Sequence, residues 1–207
     1  ERFSAGTNDT FEVLLNDGGS ITLAPGSAVL VEQYSFDQGT GAGALTITLE
    51  QGAMRVMGGL LNQKSPILLK AADSQLTLTN GGAFVTRNGT DLRAALIVAG
   101  ALEVRSADKV ETLTRPGFET LVTAGSAPSS PRKQAQGQAF ADAATINPGL
   151  KTGGMARVRD GDAIETAKVA QDEALDDPNT RRAETQIALV TNYAVNIPGG
   201  KTISISP

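Results

Sequence analysis

From Phe11 to about Ala124 the chain repeats one phrase, a short segment alternating apolar and polar residues closed by Gly, Pro, Asn or Asp. ITLAPG from Ile21, LTITLEQG from Leu45, LTLTNGG from Leu76, LIVAG from Leu96 and LTRPG from Leu113 are instances of it. Leu45, Ile47 and Leu49 alternate with Thr46, Thr48 and Glu50. Successive side chains of a strand point to opposite faces, so this spacing puts the aliphatic groups on one face and the polar groups on the other. The same rule joins Leu76 with Leu78, Leu96 with Val98, and Leu102 with Val104. Strands that recur about every 10 residues with turn signals between them predict an all-β body: a sandwich, a roll or a short solenoid of short strands. A parallel α/β sheet needs helical crossovers, and no segment before Gly125 has room for one.

The pattern changes at Gly125. GSAPSSPRKQAQGQ and the small residues around Phe140, up to Gly154, read as a linker or as an arm lying on a neighbour. One helix follows, with Asp162 as N-cap, Glu165 completing a capping box, and Ile164, Ala167, Ala170, Ala174 and Leu175 forming a thin apolar stripe that stops before Pro178. QIALVTNYAVNI from Gln186, a Pro198-Gly199-Gly200 turn and KTISIS from Lys201 predict a two-stranded extension. The last strand is expected to pair with a sheet edge, of its own chain or of a neighbouring copy, which makes Lys201, Ile203 and Ile205 candidate interaction residues. The organisation expected is therefore a β domain over 1–125, then linker or arm, helix and terminal strands over 126–207.

Composition narrows the chemistry. Hydrophobic residues make up 40% of the 207, enough to bury a core, but aromatics are 4% with no Trp, so that core is aliphatic. The net charge is −4 and no stretch gathers a basic cluster, which argues against a nucleic-acid partner. No apolar run is long enough for a membrane span. Histidine and cysteine are absent, which removes Ser-His-Asp and Cys-His machinery and His-ligated zinc. The lack of cysteine and the start at Glu1 without Met lead to the expectation of an exported, extracytoplasmic protein whose leader has been removed.

Candidate sites are few. GTGAG at Gly39–Gly43 opens a strand rather than a helix, so it reads as a hairpin loop and not as a phosphate cradle. Asp160, Asp162 and Glu165 are candidate metal ligands, although helix capping accounts for Asp162 and Glu165. Asp172, Glu173, Asp176 and Asp177 read as a solvated acidic end of that helix, with Arg181 and Arg182 to neutralise it. A carbohydrate cleft would want aromatic platforms, and the chain offers only Tyr34 and Tyr193 as larger polar aromatics. The expectation is no catalytic residue, no cofactor, and a protein partner, other copies of the chain included.

One longer phrase resembles a known family. FEVLLNDGGSITLAPGSAVLVEQYSFD followed by GAGALTITLEQGAMRVMGG places Leu14, Leu15, Asp17, Gly18, Ile21, Leu23, Pro25, Ser27, Leu30, Val31, Tyr34, Leu45 to Leu49, Gly52 and Arg55 where the FecR domain family has its turn and core positions. LIVAGALEVRS from Leu96 and LTRPGFETLV from Leu113 are similar to the family's closing strands. The chain departs from the family at Asn80, Gly81, Gly82 and Ala83, where a Gly-Thr pair is usual, and the resemblance stops before residue 126. It implies a FecR-like fold for 1–125. Regulatory members place a cytoplasmic anti-sigma segment and one membrane span ahead of this domain, and residues 1–207 hold neither. The expectation is thus a stand-alone, secreted structural or interaction protein that assembles through its terminal arms, with a periplasmic sensory module as the alternative and a carbohydrate-binding domain as a third.

Overall fold

The computed structural model describes residues 1–124 and 126–147, together with the backbone of Asn196–Ile197 and Lys201–Thr202. Strands β1 (Arg2–Ser4), β2 (Phe11–Leu14), β3 (Ser20–Leu23), β4 (Ala28–Phe36) and β5 (Gly43–Met57) come first, followed by the short helix α1 (Leu60–Lys64). Then come β6 (Ile67–Ala71), β7 (Ser74–Thr79), β8 (Gly82–Asn88), β9 (Asp91–Val98), β10 (Ala101–Ser106), β11 (Lys109–Leu113), β12 (Phe118–Val122), β13 (Arg132–Lys133) and helix α2 (Gln138–Ile146). Strands β1 to β13 form one mixed sheet that curls about β5, as the alternating pattern predicts for an all-β chain.

Strand β5 is long enough to serve two flanks. Its first half pairs with β4 and, in parallel, with β6, while its second half pairs with β3 and β8. The change of flank falls at Gly52, which has φ +83° and sits where a Cβ would collide with Ser27 Oγ. That same Oγ accepts a 2.9 Å bond from the Ala53 amide, so the corner is held by a hydroxyl that only glycine leaves room for. The first flank runs β1-β4-β5-β6-β7-β10-β11 and the second β2-β3-β5-β8-β9-β12-β13. After β5 the chain lays down hairpins alternately: β6–β7 on the first flank, β8–β9 on the second, β10–β11 on the first, β12–β13 on the second.

The core lies between the flanks and is aliphatic, as composition requires. Leu45, Ile47 and Leu49 share one cluster with Leu69, Leu76, Leu78, Leu102 and Val104 of the first flank and Ile21, Met54, Val85, Leu92, Ala94 and Leu96 of the second. The period-2 reading of β5 and β7 therefore holds. It fails at Val98. The register slips between Gly82 and Ala83, so Leu96 pairs with Ala83 but Val98 pairs with Gly82, and the bulge turns Val98 out of the core.

The parallel pair β5–β6 corrects the expectation that no crossover fits before Gly125. Because β5 already carries the chain to the second flank, residues 58–66 need only bring it back, and a helix of 5 residues is enough. Asp17 anchors that return: Oδ2 accepts from the Leu61 amide at 3.1 Å, Oδ1 from Gly19 at 3.2 Å, and its carbonyl from Leu60 at 2.9 Å. Among the described residues no helix is long and apolar enough to cross a membrane.

Candidate functional site: a charged strap on the second flank

The outward residues of the second flank form one continuous row. Register places Glu12, Thr22, Arg55, Phe84, Ala95, Glu119 and Arg132 side by side across β2, β3, β5, β8, β9, β12 and β13. They face out because their neighbours Val13, Ile21, Val56, Val85, Leu96 and Phe118 face in. At one end of the row Arg55 donates to Thr22 Oγ1 at 3.0 Å and lies 3.7 Å from Glu12. Burial pulls the Arg55 pKa down from its ordinary value, and the Glu12 carboxylate opposes that fall.

The other end is denser. Arg93 of β9, which points outward between Leu92 and Ala94, donates to Glu119 at 3.2 Å and makes a forked contact with both oxygens of Asp142. Arg132 donates twice to the remaining Glu119 oxygen, at 3.1 and 3.0 Å. Gln134 and Gln138 donate to Asp142 at 3.1 and 2.9 Å. Burial works against the charge on Arg93, but the bonds and attraction from Asp142 and Glu119 outweigh it, so its pKa is raised. The Arg93 guanidinium also stands 5.5 Å from the centre of the Phe84 ring.

Asp142 belongs to α2, and this helix lies over the same face. Its Ile146 packs with Ala24, Ala53 and Phe84, and Ile97 closes that patch. Residues 126–134 run back along β12: Ser129 and Leu121 exchange main-chain and hydroxyl bonds, Arg132 and Lys133 pair with Glu119 and Phe118, and the Gln134 amide reaches the Gly117 carbonyl at 2.8 Å. The stretch read as a linker or an arm on a neighbour is, over 126–147, a strap on its own sheet. Both carboxylates are saturated by guanidinium and amide donors, and what such an arrangement does chemically is hold one segment against another.

Asp160, Asp162 and Glu165, the helix over 162–175 and the acidic stretch 172–177 lie outside the described residues, as do Ile203 and Ile205. Lys201 falls in β15 (Lys201–Thr202), which pairs with β14 (Asn196–Ile197) of the same chain, Asn196 opposite Thr202. GTGAG lies in the β4–β5 hairpin, where Asp37 Oδ1 accepts from the Gly39 and Thr40 amides at 2.8 and 3.0 Å. Among the described residues no group of three or more acidic side chains could hold a metal ion.

Sequence reasoning passed over Arg93, Glu119, Arg132 and Asp142. An outward arginine inside the aliphatic run LRAALIV was a usable signal. Its partners lie 26 and 49 residues away, beyond any local spacing rule.

No protein-family model matches the chain, and no curated protein does either. Two crystal structures, at 2.50 and 1.65 Å resolution, share its fold; each is described as a "putative anti-sigma factor" from Parabacteroides distasonis ATCC 8503. The likeness has TM-scores of 0.53 and 0.52 at 14% and 13% identity and covers 68% of this chain. It covers 63% of each of those chains, less than two thirds of their length. At such identity the likeness concerns the path of the backbone.

Proposed function

We propose that this chain is the FecR-like body of an extracytoplasmic signal-transduction protein, and that it works by binding protein rather than by catalysis. The observation that carries the reading is the sheet shared with the two structures described as anti-sigma factors, which spans 68% of the chain. The phrase that resembles the FecR domain adds to it, because its polar and glycine positions are the joints of this fold: Asp17 holds α1, and Gly52 with Ser27 makes the corner of β5. A chain without histidine or cysteine, whose buried carboxylates are bound by arginine at Glu119 and Asp142 and by main-chain amides at Asp17, is better suited to contact than to turnover.

In-frame deletion of residues 11–122 from the chromosomal copy in the source organism tests the proposal. A sensory body predicts that a limited set of transcripts changes. Unchanged transcripts would overturn it. A second reading, a structural protein that assembles with its own copies, draws on β1, β2, β11 and β13, each paired on one side only among the described residues. Native mass spectrometry separates the two, a ladder or large particle favouring assembly and a monomer favouring the sensory body.

A further inference from the structure

We propose that residues 126–147 are a releasable strap, a segment that opens from the second flank as one unit while the rest of the sheet stays folded. The partition of charge is the main reason. Of the four groups in the network, Arg93 and Glu119 belong to the sheet and Arg132 and Asp142 to the strap, so each side carries one positive and one negative group. When the strap leaves, the Arg93–Glu119 pair at 3.2 Å stays with the sheet. Arg132 and Asp142 go into water together. The usual obstacle to parting a buried ion pair is the lone charge left behind, and here neither side is left with one.

Connectivity gives the second reason. Among the described residues strand β13 pairs with β12 alone, so its departure breaks no other ladder there. The apolar part of the contact is small: in the strap the buried apolar residues are Pro128, Ala144 and Ile146, against the long aliphatic list between the flanks. Local opening selects segments with few buried apolar contacts and bonds at a sheet edge, and this segment has both properties. Once it is open, β12 is an edge whose outward row carries Glu119 beside Arg93, and charge of this kind keeps an exposed edge from pairing at random.

Hydrogen exchange read by mass spectrometry on the full chain tests this. In Asp142→Ala, amides of 126–147 are expected to exchange about 10- to 100-fold faster, the loss of charge-assisted bonds, while those of β8 and β9 keep their rates. Equal acceleration in β8 and β9 would show one cooperative unit, and an unchanged strap would show that these ion pairs do not hold it; either result overturns the proposal. A measurement on the unaltered protein stands if the variant does not fold. In urea below the unfolding midpoint, strap amides should exchange with a weaker urea dependence than those of β8 and β9, and a single shared dependence would sink the idea.

Discussion

Asn62 sits in α1 with 2% of its surface exposed, and its whole amide is bound to main chain. Nδ2 donates to the Leu78 carbonyl at 2.9 Å and to Ser65 at 3.3 Å, and Oδ1 accepts from the Gly81 amide at 3.0 Å. One side chain thus ties the return helix to the corner between β7 and β8. Asn62→Leu keeps the branched shape but leaves these groups buried without partners, and the expected cost is about 3 kcal/mol, measured as a fall in the urea midpoint at constant slope. A change under about 1 kcal/mol would mean that water replaces the amide. On the surface, the Lys70 ammonium at 2.7 Å and the Thr48 hydroxyl hold Glu32 below its ordinary value of 4.5, with a slight opposing effect of burial. A carboxylate lowered in the folded state contributes stability above its ordinary value and loses it as pH falls through the folded one, so this contribution is complete above pH 4.5 and fades below it. A carboxyl NMR titration should place the Glu32 midpoint under 4.5, and Lys70→Met should move it up; a midpoint indifferent to Lys70 would refute the assignment.

Elements differ in how plainly the chain announces them. Strands β3, β5, β7 and β10 are legible because aliphatic and polar residues alternate over a core with one apolar side. Turns at Gly18, Gly26 and Gly89 are legible because glycine takes positive φ without strain. The β6–β7 and β10–β11 hairpins turn on other residues: Ala72 has φ 50°, and Ala107 and Asp108 have φ 47° and 62°. Positive φ at both central residues of a two-residue loop is the setting in which Asn-Gly is preferred. Ala107→Asn combined with Asp108→Gly is therefore expected to stabilise the protein by about 1 kcal/mol, read as a rise in Tm. A fall in Tm would show that the alanine is packed there to some purpose. Helix α1 left no trace in the pattern because a helix of 5 residues is too short for a periodic stripe.

At the scale of the whole molecule, the sheet was legible and its folding onto itself was not. Alternation within β5 gives the inward face of each half, but the change of flank rests on Gly52 meeting Ser27, residues 25 positions apart that a linear reading takes for two separate turns. The strap was misjudged because Ser, Pro and Gln between 126 and 138 suggest a chain in water, whereas its grip depends on Arg93 and Glu119 far upstream. The hairpins that alternate between flanks have one more implication. Residues 67–98 and 101–133 are two successive strand quartets, and the second lies on the first at two strands: β10 on β7, with Leu102 opposite Leu78, and β12 on β9, with Phe118 opposite Leu96. Their corners nest, since a Cβ on Gly81 would meet the Ala99 carbonyl and one on Gly100 would meet that of Asn80. Growth by copying of a coding segment would then be easy in this architecture. A further quartet could add antiparallel to β11 and β13 as β10 and β12 add to β7 and β9, so relatives of this chain should differ in length by whole quartets, gained or lost at the β11 and β13 end, more readily than by single strands.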